Sequence, residues 1–127
     1  MLSRRLTLLL VLLAVACEPS VPAFVSVLAP ADTSDTLGPY RIEAYVDAPT
    51  GVKSLTCRWV TGDAAEDYAE LAFERTGDDD AGPWVVELPG LPSGSVVVYY
   101  LVLVDEEGTL VRYPEGAPAV LAGFRVL

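Results

Sequence analysis

Histidine is absent from this chain, lysine occurs once (Lys53), and cysteine occurs twice, at Cys17 and Cys57. Without imidazole the chain lacks the usual proton shuttle near neutral pH and the commonest transition-metal ligand. Ser-His-Asp and Cys-His catalysis are thereby excluded within the chain, as is every His-containing zinc site. Positive charge is also scarce. Eight basic residues stand against 18 acidic ones, and two of the eight, Arg4 and Arg5, lie at the extreme N-terminus. A surface of that sign repels phosphate backbones and anionic headgroups, so no nucleic acid is expected as a partner. Attachment to anionic lipid by charge is excluded for the same reason. No apolar run reaches the roughly 20 residues that a bilayer-spanning helix needs.

What is present begins at the N-terminus. Met1 to Arg5 carries the two charges, and Leu6 to Ala16 is apolar, interrupted only by Thr7, up to Cys17. A basic region, a short apolar region and small residues before a cleavage point make an export signal. The residues Ala14-Val15-Ala16-Cys17 resemble the lipobox of bacterial lipoproteins, with Ala14 where leucine is common. That resemblance implies diacylglycerol on the Cys17 thiol, cleavage before it and acylation of the new N-terminus. Two or three acyl chains anchor a protein stably, whereas one alone is marginal. The expected division is a signal peptide over residues 1–16, lipidated Cys17 with a Pro-containing tether over 17–23, and one domain over 24–127. Pro19 and Pro22 stiffen the tether, whose reach is at most about 20 Å, so the domain is expected close to its membrane.

Removing the leader leaves about 110 residues, enough for one self-sufficient core. From Phe24 onward, short β-rich runs alternate with Gly, Pro and Asp clusters, the signature of an all-β domain. Strands are expected over 24–28, 40–46, 52–60, 84–88, 96–104, 109–113 and 123–127, with 68–75 as an edge strand or one short helical turn. In the second run Tyr40, Ile42, Ala44 and Val46 share one face and Arg41, Glu43 and Tyr45 the other. Leu55, Cys57 and Trp59 are expected in the core, as are Trp84, Val86 and Leu88. Val96 to Val104 is a nearly continuous apolar stretch of the kind found in a central strand. Seven to eight mainly antiparallel strands at this spacing give a two-sheet sandwich.

The stretch Gly94 to Gly108, with Val98-Tyr99-Tyr100 and the closing Asp105-Glu106-Glu107-Gly108, resembles the penultimate-strand motif of bacterial immunoglobulin-like and fibronectin type III-like domains. Leu88-Pro89-Gly90 and Ile42-x-Ala44-x-Val46-Asp47 fit the same pattern. The resemblance covers roughly residues 24–127 and implies an immunoglobulin-like β-sandwich, a scaffold that serves many functions. No cysteine sits on the second strand, so the inter-sheet disulfide of antibody domains cannot form.

Candidate sites are few. Cys57 is the only thiol left once Cys17 is lipidated, and its place between Leu55 and Trp59 marks it as a buried core thiol. Asp78-Asp79-Asp80, flanked by Gly77 and Gly82, lacks the alternating pattern of a calcium loop and is expected as a solvated turn. Asp105-Glu106-Glu107 is expected as a hairpin tip. Neither a metal nor another cofactor is expected. The outward row of the long strand, Val98, Tyr100, Val102 and Val104, is unusually apolar for a solvated face. It is expected either to lie under the segment Pro114–Ala122 or the tether, or to form an interaction face for a protein partner in the envelope. The function expected is that of a non-catalytic interaction or structural module, held at a membrane of the bacterial envelope through lipid on Cys17. The alternative is a carbohydrate- or peptidoglycan-binding module that stacks sugars on Tyr45, Tyr68 and Tyr113.

Overall fold

The computed structural model describes residues 21–62 and 67–127. The expected signal peptide, Cys17 and the start of the tether lie outside the described residues, as do residues 63–66. Nine strands are described: β1 (Ala23–Leu28), β2 (Tyr40–Asp47), β3 (Val52–Thr61), β4 (Ala69–Ala72), β5 (Glu74–Arg75), β6 (Trp84–Leu88), β7 (Val96–Asp105), β8 (Leu110–Tyr113) and β9 (Ala122–Arg125). One sheet has the order β1-β2-β6-β5. The other has the order β4-β3-β7, with β8 and β9 sharing the far edge of β7. All named strand pairs are antiparallel, and no helix occurs among the described residues. The protein is a two-sheet β-sandwich.

Period-two patterning builds the core, because directly opposed residues of neighbouring strands share a face. Tyr40, Ile42, Ala44 and Val46 are buried along β2, and register sets Ile42 opposite Val86 and Tyr40 opposite Leu88. In the facing sheet, Leu55 pairs with Leu103, Cys57 with Leu101 and Trp59 with Tyr99. These inward rows, with Phe73, Phe124 and Val126, form one contiguous core.

The segment 68–75 is neither one edge strand nor a helical turn. β4 runs along β3 in one sheet and β5 along β6 in the other. The chain crosses between sheets at Phe73, which is buried and whose N–H donates to the Leu55 carbonyl at 2.9 Å. Leu71 and Phe73 both pack on the core, so the alternation runs unbroken through the crossing and hides it. This division raises the strand number to nine. β1 starts at Ala23, and Pro22 is fully buried.

At one end of the sandwich, the Tyr40 hydroxyl donates to the Asp35 carbonyl at 2.6 Å and accepts from the Leu91 N–H at 3.2 Å. It thus ties the β1–β2 connection to the β6–β7 connection. Gly90 permits that close approach, since a Cβ there would lie 2.3 Å from the Leu37 carbonyl oxygen. A parallel bridge between Thr33 and Val126 secures the same connection to the C-terminal residues.

Truncating Leu101, which is completely buried, is expected to cost about 2–5 kcal/mol. Leu110→Ala, at a position 45% exposed, should change stability by no more than about 0.5 kcal/mol. Urea denaturation of the two variants checks this; equal losses would place the core elsewhere.

Candidate functional site

The outward row of β7 was the leading sequence candidate for an interaction face. Register sets Val98 opposite Val60, Tyr100 opposite Arg58, Val102 opposite Thr56 and Val104 opposite Ser54. On the other flank Val102 meets Arg112, and Val98 meets Gly123, which has no side chain to cover it. Tyr100 and Val102 are each only 6% exposed, while Val98 and Val104 are half-buried. Their cover comes from the chain itself. Ala117 and Leu121, in the connection between β8 and β9, pack over the row with Tyr68. Tyr68 meets Tyr100 edge-on with ring centroids 5.3 Å apart. Arg58 donates to the Tyr100 hydroxyl at 3.1 Å and stands 3.3 Å from the Glu70 carboxylate. Tyr100, Val102 and Val104 therefore belong to a second, smaller core rather than an open face, and Val98 lies half-buried outside it. Leaving that core in water would expose contiguous apolar surface, and folding the β8–β9 connection back removes that cost.

Cys57 is fully buried between the sheets, and burial pushes its thiol pKa up to about 12. Desolvation of the thiolate is the cause. Such a group is protonated across the physiological range and carries no nucleophilic chemistry. Tyr99, on the neighbouring strand, is likewise raised, chiefly by burial.

The acidic candidates divide. In Asp78-Asp79-Asp80, Asp79 accepts from the Ala81 N–H at 2.9 Å, and Asp80 forms an ion pair with Arg75 while its carbonyl accepts from the Trp84 indole. The triplet is thus the turn that joins β5 to β6. Asp105, by contrast, is not a solvated part of its hairpin tip: it is completely buried. Its Oδ1 accepts from the Glu107 and Thr109 N–H groups at 3.1 and 2.8 Å, and its backbone N–H and carbonyl also bond within the turn. These bonds from backbone donors close the hairpin, while the other carboxyl oxygen, Oδ2, is buried with no hydrogen-bond partner among the described residues. Among the described residues, no group of three or more Cys, Asp or Glu is placed to hold a metal ion.

Nor do the three tyrosines form a platform. Tyr45 lies on the outer face of the β1-β2-β6-β5 sheet, where it pairs with Ser26. Tyr68 packs on the outside of the other sheet, and Tyr113 joins the main core beside Phe24. All three are half-buried. Sugar stacking needs coplanar exposed rings, and these point in three directions.

A recess that sequence reasoning missed lies where β1 leads into β2. It is an open groove of about 580 Å³, lined by Leu28, Pro30, Thr33, Pro39, Arg41 and Glu43 among others. Its charged groups are already engaged: Arg41 pairs with Glu43 at 2.8 Å, and Asp32 accepts from the Arg125 N–H at 2.8 Å. The groove forms because the β1–β2 connection turns back on the start of β2, and only Ala29-Pro30 and Gly38-Pro39 signal that turn in the sequence. Its apolar walls suit binding better than reaction.

No protein-family model matches the chain, and no curated protein matches it. Among solved structures, the chain is similar to the crystal structure of CopC from Methylosinus trichosporium OB3b. The TM-score is 0.52, with 14% identity over 82% of this chain and 91% of that one. At that identity the likeness is one of fold: both chains are β-sandwiches.

Two outcomes follow from the burial of these groups. Because β7 is covered on its outer side, Val102→Lys should destabilise the protein by about 2 kcal/mol or more, measured as a lower urea midpoint. A variant as stable as the parent would mean that the cover opens freely. For Cys57, the folded state retains a proton that the unfolded state releases above about pH 9. Stability should hold level below that pH and then fall by up to about 1.4 kcal/mol per pH unit as pH rises toward the folded value. Cys57→Ala should lessen this slope, leaving the share due to Tyr99. An unchanged slope in urea titrations between about pH 8 and 10.5 would show that the thiol is solvated.

Proposed function

We propose that this chain is exported, lipidated on Cys17 and held at a bacterial envelope membrane, where its sandwich acts as a non-catalytic interaction or structural module. The observation that carries the proposal is the coincidence of Ala14-Val15-Ala16-Cys17 with the end of the apolar run. Folded structure follows almost at once, since Pro22 is already buried and β1 starts at Ala23. The stretch between the acyl chains and the sandwich then spans no more than about 20 Å, which holds the domain beside its membrane. An acidic surface offers no electrostatic grip on anionic lipid, so the lipid on Cys17 is the whole of the attachment.

Several features support a role without catalysis. The chain has no histidine, and Cys57 is buried and protonated. Asp79 is engaged in a turn and Asp80 in an ion pair, and Oδ1 of Asp105 is held by its own hairpin. The β-sandwich is a scaffold on which many functions are built, so the likeness to CopC supports the architecture and leaves the task to the residues. The partner in this proposal is an envelope protein, and no cofactor takes part.

Cys17→Ser is the deciding variant. Metabolic labelling with palmitate should be lost, and the protein should move from the membrane fraction to the soluble one. Labelling that persists in Cys17→Ser, or a parent protein that takes up no label, would end the lipid-anchor proposal.

A further inference from the structure

Four of the strands lie at the outer edges of the two sheets with charge on them or next to nothing to pair: β4 carries Glu70, β5 is only Glu74-Arg75, β8 carries Arg112, and β9 carries Arg125 and is followed by the bridge from Val126 to Thr33. β1 differs. Its sequence, Ala-Phe-Val-Ser-Val-Leu over residues 23–28, holds no charge and no proline. It pairs with β2 on one side only, and among the described residues its backbone makes no other hydrogen bond. Val25 is 68% and Leu28 57% exposed. Natural proteins blunt sheet edges with charge, proline, bulges or cover, because an unpaired row of N–H and C=O groups is a template for another strand. β1 uses only the bulge, between Phe24 and Ser26. The bulge breaks pairing in the N-terminal half and leaves Ser26 to Leu28 as the regular edge, leading directly into the groove beside Leu28, Pro30 and Pro39.

We infer that this edge and its groove receive an extended segment of another polypeptide, one that alternates apolar with basic residues. The segment adds a strand beside Ser26–Leu28, and an apolar side chain enters the groove. Main-chain bonds supply affinity in such strand addition, and pockets for alternate side chains supply specificity. Charge selects the partner. This chain carries a formal net charge of −10, and Asp47 stands exposed at the end of β2, opposite Ala23 at the start of β1. A second copy brings like charge to the contact, whereas a basic segment brings the opposite sign. The inference rests on the interaction-module proposal and is independent of the lipid on Cys17.

The test uses the full-length protein in detergent and a synthetic nine-residue peptide of alternating valine and lysine. Amide hydrogen exchange over residues 26–28 should slow by about tenfold or more with the peptide, while residues of β4, at the far edge of the other sheet, are unaffected. A peptide of the same sequence but N-methylated at alternate amides has the same charge and cannot pair, so it should give no protection. Leu28→Lys, at an exposed position, should weaken binding while leaving the Tm unchanged. Equal protection by both peptides would trace the effect to charge alone and overturn the inference, as would no protection by either. Protection that appears without peptide as protein concentration rises would assign the edge to a second copy and overturn it as well. Cys17→Ser must bind the peptide as the parent does, so loss of the anchor and loss of this site are read separately.

Discussion

The structure depends on β7 being buried on both faces and paired on both edges. Inward, Val97, Tyr99, Leu101 and Leu103 supply one side of the main core. Outward, Tyr100 and Val102 form the floor of a second cluster. A strand that is apolar on both faces must find cover on both, and each cover constrains another part of the chain. β3 lies along the whole of one edge, while β8 and β9 divide the other, so the pairing needs of the backbone are met along its length. Because β8 and β9 occupy successive parts of the same edge, the chain between them leaves the sheet and returns. That detour lays Ala117 and Leu121 over Tyr100 and Val102.

Stability is consequently graded from this strand outward. The β1-β2-β6-β5 sheet packs on it through one face, with β2 and β6 contributing the fully buried Ile42 and Leu88. β1 lies at the rim, where Phe24 and Val27 are only partly buried and Val25 and Leu28 face solvent. A central strand has no free hydrogen-bonding groups to offer another chain, whereas an edge strand does. The polar chemistry of the molecule serves the architecture. The Tyr40 hydroxyl joins two connections, Asp105 closes a hairpin and Arg58 braces Tyr100.

Much of the fold was legible in residue patterns. Alternation in Tyr40–Val46 identified both the strand and its buried face, and Cys57 between Leu55 and Trp59 was placed correctly in the core. The segment 68–75 was not legible, because Leu71 and Phe73 face the same interior before and after the chain changes sheets. Asp105 was read with Glu106 and Glu107 as one solvated tip, yet only the latter two are exposed; a carboxylate that bonds its own turn looks the same in sequence as one that meets water. The groove beside β1 was missed because it is made by the path of a connection, and connections have no periodicity to reveal their course.

The residues alone determined the compartment proposal, the exclusion of histidine chemistry and the all-β class, because each follows from composition or local pattern and needs no knowledge of distant contacts. Only the tertiary structure decided whether the apolar outer row of β7 lay open or covered, whether three tyrosines shared a plane, and which strand, among the described residues, has an uncharged and unpaired edge. Those outcomes depend on which segments far apart in sequence come to lie side by side. Period-two patterning states which face of a strand is apolar, but the folded chain alone determines what meets that face.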